Sequence, residues 1–548
     1  MQLLRTSDLA AWVYTEAMMP SQHRARARYP WQARADLLNL LHIRSFLRWR
    51  YARLVLQIPL LILALFVLVD GFTGRQLAPR NVATTSVWLH YRGLVVLALA
   101  FIGNAFCAAC PLMLTRGLSR QLKRFLPNYD FPQALKNKYL VVGLMLLYFF
   151  SYEYFDLWAS PWLTAWLAVG YFASALVIDT FFPAGTFCRY VCPLGNFNFV
   201  LASASPTQII ALDSNVCQTC QEKPCLHGRE SYNTKPNKPL EAAFIPLSEI
   251  KYANGSGYFP GCETKLFVPT IESNMDCTLC FNCLRACPYD NVGLGLREPT
   301  REASHDVWRK RGKFSVILLG VLLCYYGMMN AVAMIPPYFR LAEWIAHALN
   351  SHNELLLLSL FFVMVAALGL AITTIFSYLA DLAGQSKANL HDALMRWGYV
   401  TLILGIGFWT AHYLFHFLTG ALSIIPVFQH FFSYRGFEFD PNWRLSMLIP
   451  SRWLFPINAS ITVFYAFLAI MVSIRIALRD FGRRGVLAMW PMILYVLLFM
   501  ALAIWVLAQP MEMRGTIFGP VTKIVKLRAT RHTVRLPLRV KVFAGQGL

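Results

Sequence analysis

Four cysteines crowd into one short run of this chain, Cys277, Cys280, Cys283 and Cys287, read as C-T-L-C-F-N-C-L-R-A-C-P. Spacings of 2, 2 and 3, closed by Pro288, are those of a [4Fe–4S] run. Three thiolates wrap one cubane and the fourth serves a second. That demand points upstream, to Cys217, Cys220, Cys225 and Cys262. The ligand sets so predicted are Cys217, Cys220, Cys225 and Cys287 for one cluster, and Cys277, Cys280, Cys283 and Cys262 for the other. The upstream spacing is the wider: 4 residues separate Cys220 from Cys225, and 36 separate Cys225 from Cys262. A zinc site closes at four ligands and has no use for eight thiolates. Disulfides belong to oxidising compartments and small secreted folds. Cysteines grouped as C-x2-C therefore imply cofactor ligands on a reducing side.

A second constellation precedes the first. F-C-A-A-C-P (Cys107, Cys110) and F-C-R-Y-V-C-P (Cys188, Cys192) each close an apolar stretch. The proline halts or kinks a helix where the cysteines stand. One buried cysteine reads as packing. Two Cys-Pro pairs at matching depth predict a third iron–sulfur centre or a redox dithiol. Asp179, inside the stretch before Cys188, is a candidate proton relay, since intramembrane carboxylates are functional by default; its other reading is a side chain reaching the nearby interface. Cys324 stands alone in an apolar run and reads as a core thiol. His412 and His416 are four apart and share a helix face. With His347 or His430 they are candidates for a quinone or haem b. Haem needs histidines on opposing helices, so His412 and His416 alone do not suffice.

These residues need a membrane frame. The 548 residues are 57% hydrophobic, with mean hydropathy +0.46, which marks a multi-span membrane protein. The net charge of +22 reads as the excess of Lys and Arg in loops on the inner side, not as nucleic-acid binding. The predicted divisions are a basic cytoplasmic segment (1–53), a four-helix membrane domain with the Cys-Pro motifs (54–204), a polar two-cluster module (205–313), a second membrane domain of five or six helices (314–510) and a basic tail (511–548). Asp36 to Phe46 is expected as an interfacial helix. The fold class is an α-helical polytopic membrane protein of about 9–10 transmembrane helices with an inserted cytoplasmic, ferredoxin-like α+β domain. Nine spans would carry the tail to the outer side although residues 520–548 hold seven Lys or Arg and no acid. Either a further span or a re-entrant piece, for which 421–432 is the candidate, resolves that conflict, or the tail is exported regardless of its charge.

FCAACP, FCRYVCP and CTLCFNCLRACP together resemble the polyferredoxin-type membrane proteins of the NosR, NapH and FixG kind, over about residues 90–300. The first motif has two residues between its cysteines where that family has three. The resemblance implies a bacterial inner-membrane protein that passes electrons between a quinone pool and a cytoplasmic or periplasmic redox protein. In the FixG branch it implies metal reduction for maturation of a respiratory enzyme.

Overall fold

The computed structural model describes residues 36–230, 258–305, 314–387 and 389–511. The basic stretch before Asp36, most of the Cys225–Cys262 insertion and the basic tail lie outside them. Seven stretches of the described residues are long and apolar enough to cross a membrane: Ala52–Thr73, Val82–Phe101, Pro161–Phe181, Phe314–Val332, Glu354–Ala383, Leu390–Ser433 and Ser451–Ala508. The architecture fits an α-helical polytopic membrane protein.

The helices used below are α1 (Ala52–Thr73), α2 (Val82–Phe101), α3 (Tyr139–Tyr154), α4 (Pro161–Phe181), α5 (Phe314–Val332), α6 (Glu354–Ala383), α7 (Leu390–Gly420), α8 (Leu454–Phe481) and α9 (Gly485–Ala508). The last apolar stretch is thus two helices, joined by a tight turn at Gly482–Arg484. The shorter α3 is also apolar. Residues 421–433 form a 3-10 turn and a short helix, Ile424–Ser433.

α7 is the axis of the second helical group. Almost all of its side chains from Ala393 to Leu414 are buried, including Trp397 and Trp409. Close approach needs small residues where two backbones meet. A Cβ on Gly405 would stand 2.8 Å from the Cα of Cys324 on α5. Cys324 is fully buried there, a core thiol.

The cysteine module sits between the two helical groups in sequence. Its ends are stitched by an antiparallel pair, β1 (Thr207–Ala211) and β2 (Val292–Leu296), in register from Thr207 opposite Leu296 to Ala211 opposite Val292. Asp36 starts the short helix Leu37–Leu40, accepting from the Leu38 amide at 3.2 Å, and also accepts the Leu294 amide of β2 at 3.0 Å. Arg44 and Arg48 meet Asp290 at 2.6 and 2.7 Å. Leu38 and Leu47 enter the module's core beside Cys225, Leu284 and Cys287. The leucines expected to face an interface are therefore divided: Leu38 is buried in the module, whereas Leu40 and Leu41 stay exposed. Burying Leu38 contributes about 1.5–3 kcal/mol.

Salt bridges and hydrogen bonds tie the module to both helical groups. On one side Lys138, at the start of α3, and Arg189 reach Asp276 at 2.5 and 3.1 Å. On the other, Arg475 of α8 pairs with Glu298, and Arg479 donates to the Ser304 carbonyl. These contacts define a module end and a far end for the helices.

Candidate functional site

The module's local structure follows from where its cysteines must point. Ten described non-glycine residues have positive φ, and six of them are in this module: Lys223, Lys265, Asp276, Leu279, Phe281 and Asp290. Each lies within three residues of a cysteine. Left-handed backbone costs energy in an L-residue and persists where surroundings impose it. Here it turns amides inward. The Leu266 amide donates to Cys262 Sγ at 3.2 Å, and Asn291 Nδ2 to Cys217 Sγ at 3.2 Å. Further amides lie within bonding reach: Lys223 for Cys220, Val268 for Cys225, Leu279 for Cys277, and Tyr289 and Asn291 for Cys287.

Two hollows result. One is lined by Cys262, Cys277, Cys280 and Cys283, with Ile209, Leu266 and Ile271 as apolar wall. The second is lined by Cys217, Cys220, Cys225 and Cys287, with Phe267, Tyr289 and Val292. Val268 belongs to both walls. The structure brings together the two groups of four that the spacing predicts. Cys283 lies in the short helix Asn282–Ala286 and Cys287 ends it with extended backbone; the two line different hollows. The Cys262 amide donates to the Cys225 carbonyl at 2.9 Å, which joins the distant Cys262 loop to the upstream cysteines.

Among the described residues, no group of three or more His, Cys, Asp or Glu side chains is arranged to hold a single metal ion. Thiolates on a cubane bind separate iron atoms at its corners and stand farther apart than ligands of one ion. Four sulfurs, inward amides and an apolar wall make the donor set and shell of such a cluster. Burial pushes the Cys225 and Cys277 thiols up to about 12.

The Cys-Pro motifs form a third assembly. A single π turn, Phe187–Val191, carries Cys188 and closes with the Cys192 amide on the Phe187 carbonyl at 2.7 Å. Pro193 then opens the helix Pro193–Leu201, and Cys192 Sγ caps it by accepting the Gly195 amide at 3.2 Å. A helix N-terminus favours thiolate character. Cys107 is in electrostatic range of Cys110 and Cys192, and Cys188 of Cys192 and Cys107. Asn198 Nδ2 lies 3.8 Å from Cys107 Sγ, and Met113 Sδ 3.6 Å from Cys188 Sγ. All four thiols are pushed up, burial being the main cause.

An ion-pair chain links this assembly to the first hollow. Arg116 binds Asp179 at 2.8 Å and Glu263 at 2.7 Å, and its guanidinium lies 3.8 Å from Cys188 Sγ. Glu263, next to Cys262, also binds Arg53 of α1. Burial alone would raise the Glu263 carboxyl, but Arg116 and Arg53 outweigh it and hold it well below the usual carboxylate range. Asn104 Nδ2 donates to the Cys277 carbonyl at 3.2 Å. Asp179 is therefore an ion-paired, buried carboxylate that also accepts the Phe187 amide at 3.3 Å. Sequence reasoning missed Arg116 and Glu263. Arg116 sits in a basic run that reads as a solvated loop, and Glu263 is a single acid beside a distant cysteine.

The histidines fall into separate places. His412 and His416 are packed ring to ring on α7, centroids 4.8 Å apart, and His412 bonds Asn330 of α5 at 3.1 Å. His347 lies against His352, and His430 against Tyr434 and Trp443.

No family model matches the chain, and no solved structure does. An uncharacterized protein of Methanocaldococcus jannaschii is 26% identical over 264 residues, which cover 46% of this chain and 87% of the relative.

Proposed function

We propose that this chain is an iron–sulfur electron-transfer protein of the bacterial inner membrane, with its module and N-terminus in the cytoplasm. It passes electrons between a quinone pool and a redox partner through two [4Fe–4S] clusters. The observation that carries the reading is the pair of four-cysteine hollows sharing Val268 as a common wall. Bound clusters supply one-electron exchange. The chain's own part is to hold eight thiolates with inward amides, exclude water with Ile209, Leu266 and Phe267, and fix the module against the helices through Asp276 and Glu263. The Cys-Pro assembly stands between the module and the helices, as a third iron–sulfur centre or a dithiol nearest the lipid. Among the described residues, the seven apolar stretches long enough to cross a membrane supply a multi-pass anchor.

The test is anaerobic purification followed by quinol addition to the protein in lipid. About eight iron atoms and eight sulfides are expected if two cubanes are bound, with visible absorbance bleached by quinol or re-formed by quinone. A colourless protein without iron overturns the reading. Absorbance that responds to neither quinol nor quinone removes the quinone half of it.

A second reading has its own observation. The Met113 thioether beside Cys188 adds a soft donor to a thiol set, and thiolate with thioether suits Cu(I). In that reading the protein reduces a metal ion for assembly of a respiratory enzyme, with the ion as substrate. Retention of Cu(I) that is lost on Met113→Leu, in protein whose iron content is unchanged, favours it.

A further inference from the structure

At the far end of the helices, opposite the module, three polar side chains form a line. Glu153 Oε1 accepts from Asn330 Nδ2 at 3.0 Å, and Asn330 Oδ1 meets His412 Nε2 at 3.1 Å. They come from α3, α5 and α7. Burial grades along the line: Glu153 is half-buried one residue before α3 ends, Asn330 is buried, and His412 is fully buried. A carboxylate at the mouth, an amide that turns either way and an imidazole inside are the parts of a proton relay.

The line does not run through. Next to His412 on α7 is Tyr413, whose ring lies 5.0 Å from the guanidinium of Arg92 on α2. Arg92 is buried under Trp88 and Tyr152 as well, each 4.7 Å away, and donates to the Tyr152 hydroxyl at 3.1 Å. Arginine keeps its charge at any ordinary pH, and a fixed cation in a narrow apolar passage repels an arriving proton. Beyond Arg92 the adjacent Tyr91 lies in reach of Asn198 and Cys107, in the Cys-Pro assembly. The arrangement is thus a proton mouth at one end, cysteines at the other and a fixed cation between.

We infer that Glu153, Asn330 and His412 form a proton-exchange site, open to the far side of the membrane, that binds one proton as an electron enters the cysteine end. The inference rests on the electron-transfer reading for the source of the electron, a quinol or a chemical reductant. One electron adds one negative charge to a centre on the module side. One proton, taken from far-side water onto Glu153 or His412, cancels it; the bond formed is O–H or N–H, and none breaks except in the water that releases the proton. Arg92 keeps that proton from crossing, so the site compensates charge without leaking. Other titratable or charged groups towards the same end of these helices include Tyr148, Tyr152 and Tyr154 of α3, Tyr325 and Tyr326 of α5, Tyr413 and His416 of α7 and His90, Tyr91 and Arg92 of α2, with Glu354 starting α6.

The experiment uses the full-length protein in vesicles, reduced with dithionite, so that no quinone site is needed. The midpoint potential is read from the visible absorbance while the pH is changed on one side at a time. One proton per electron shifts the potential by about 59 mV for a tenfold change in proton concentration. A slope approaching that value is expected for far-side pH, flattened by Glu153→Gln and by His412→Gln, and kept by Glu153→Asp. Equal slopes in wild type and both glutamine variants overturn the site, as does a response to module-side pH alone. If no chromophore can be reduced, the electron-transfer reading fails, and the site is judged on infrared titration of the unreduced protein. A carboxyl band that follows far-side pH and is missing from Glu153→Gln upholds proton exchange; absence of such a band overturns it.

Discussion

Replacing Arg297 with Met should loosen the module at one identifiable joint. Arg297 and Glu302 are both buried and paired. The guanidinium also donates to the carbonyls of Ser205 at 2.8 Å, Ala202 at 3.0 Å and Ser203 at 2.6 Å. Glu302 accepts from Ser273 Oγ at 2.8 Å and from the Asn274 amide at 2.5 Å, and Asn274 leads directly into the Cys277 loop. Methionine fills the space of the aliphatic stem but leaves a buried carboxylate without its cation. Removing one partner of a buried pair costs about 3–5 kcal/mol. Each carbonyl that loses its donor adds at most about 1–3 kcal/mol, and these terms do not simply sum. The lower bound of about 3 kcal/mol is roughly a hundredfold in an opening equilibrium. Hydrogen exchange of the β1 and β2 amides reads that equilibrium directly. Exchange in Arg297→Met should rise about a hundredfold if the 3 kcal/mol is lost, with iron lost first from the Cys277 hollow. The double variant Arg297→Met, Glu302→Leu should recover most of the protection, because no charge is left buried alone. Wild-type exchange in the single variant, or a double variant no better than the single, would refute the reasoning.

The remaining expectations concern the thiols and the joint beside them. Cys220→Ser and Cys280→Ser should each lower iron by about half of the eight atoms two cubanes hold, measured by metal analysis; total loss in both would mean that the hollows do not load independently. Arg116→Met strips the cation from Asp179, leaves Glu263 with Arg53 alone, and should cost about 3–5 kcal/mol in thermal unfolding. Arg116→Lys should rescue it only in part, since an ammonium cannot serve two carboxylates with the geometry of a guanidinium. Gly185 has φ of 90°, and a Cβ there would collide with the carbonyl oxygen of Glu263. Gly185→Ala should therefore lower the melting temperature and disturb the Cys262 loop. Gly170→Ala, with nothing within 4 Å, should leave it unchanged or slightly higher.

Cysteine spacing made the two groups of four legible because three cysteines of each group lie close together in sequence. Two C-x2-C steps and a C-x3-C step fix which thiols face one hollow and which turns to the next. The remote Cys262 followed by counting, not from any local signal. Its loop is held by a backbone bond to Cys225 and by the Glu263 pairs, neither of which leaves a periodic mark. The apolar runs gave the helices by length and composition, yet not their ends: α1 extends past its apolar core at both sides, and α2 contains a π turn at Ser86–Tyr91 that hydropathy cannot reveal. Charge was misleading at two points. Arg116 is one of a basic run that reads as marking a loop, but Asp179 and Glu263 draw it inside. Arg92 sits in an apolar stretch where length alone gives no reason for it, and three aromatic faces hold it there.

Those two arginines also explain how the cysteine assembly is poised. Arg116 lies on the module side of the four Cys-Pro thiols, where its charge favours thiolate at Cys188 and, with Arg53, at Cys110. Arg92 is on the membrane side, and its nearest polar partners are phenol hydroxyls, with no carboxylate within salt-bridge distance among the described residues. Buried among aromatic faces, its charge is screened less than one at the surface. Tyr91, the neighbour of Arg92, approaches the thiols, Cys107 foremost, and Asn198 lies beside Cys107. It follows that Arg92→Met, which keeps the volume, should make any centre at the Cys-Pro thiols harder to reduce while leaving the Cys217 hollow, farther off and inside the module, nearly unchanged. Separate potentiometric titration of the two signals tests this. A uniform shift of both, or no shift in either, would mean that Arg92 serves helix packing alone.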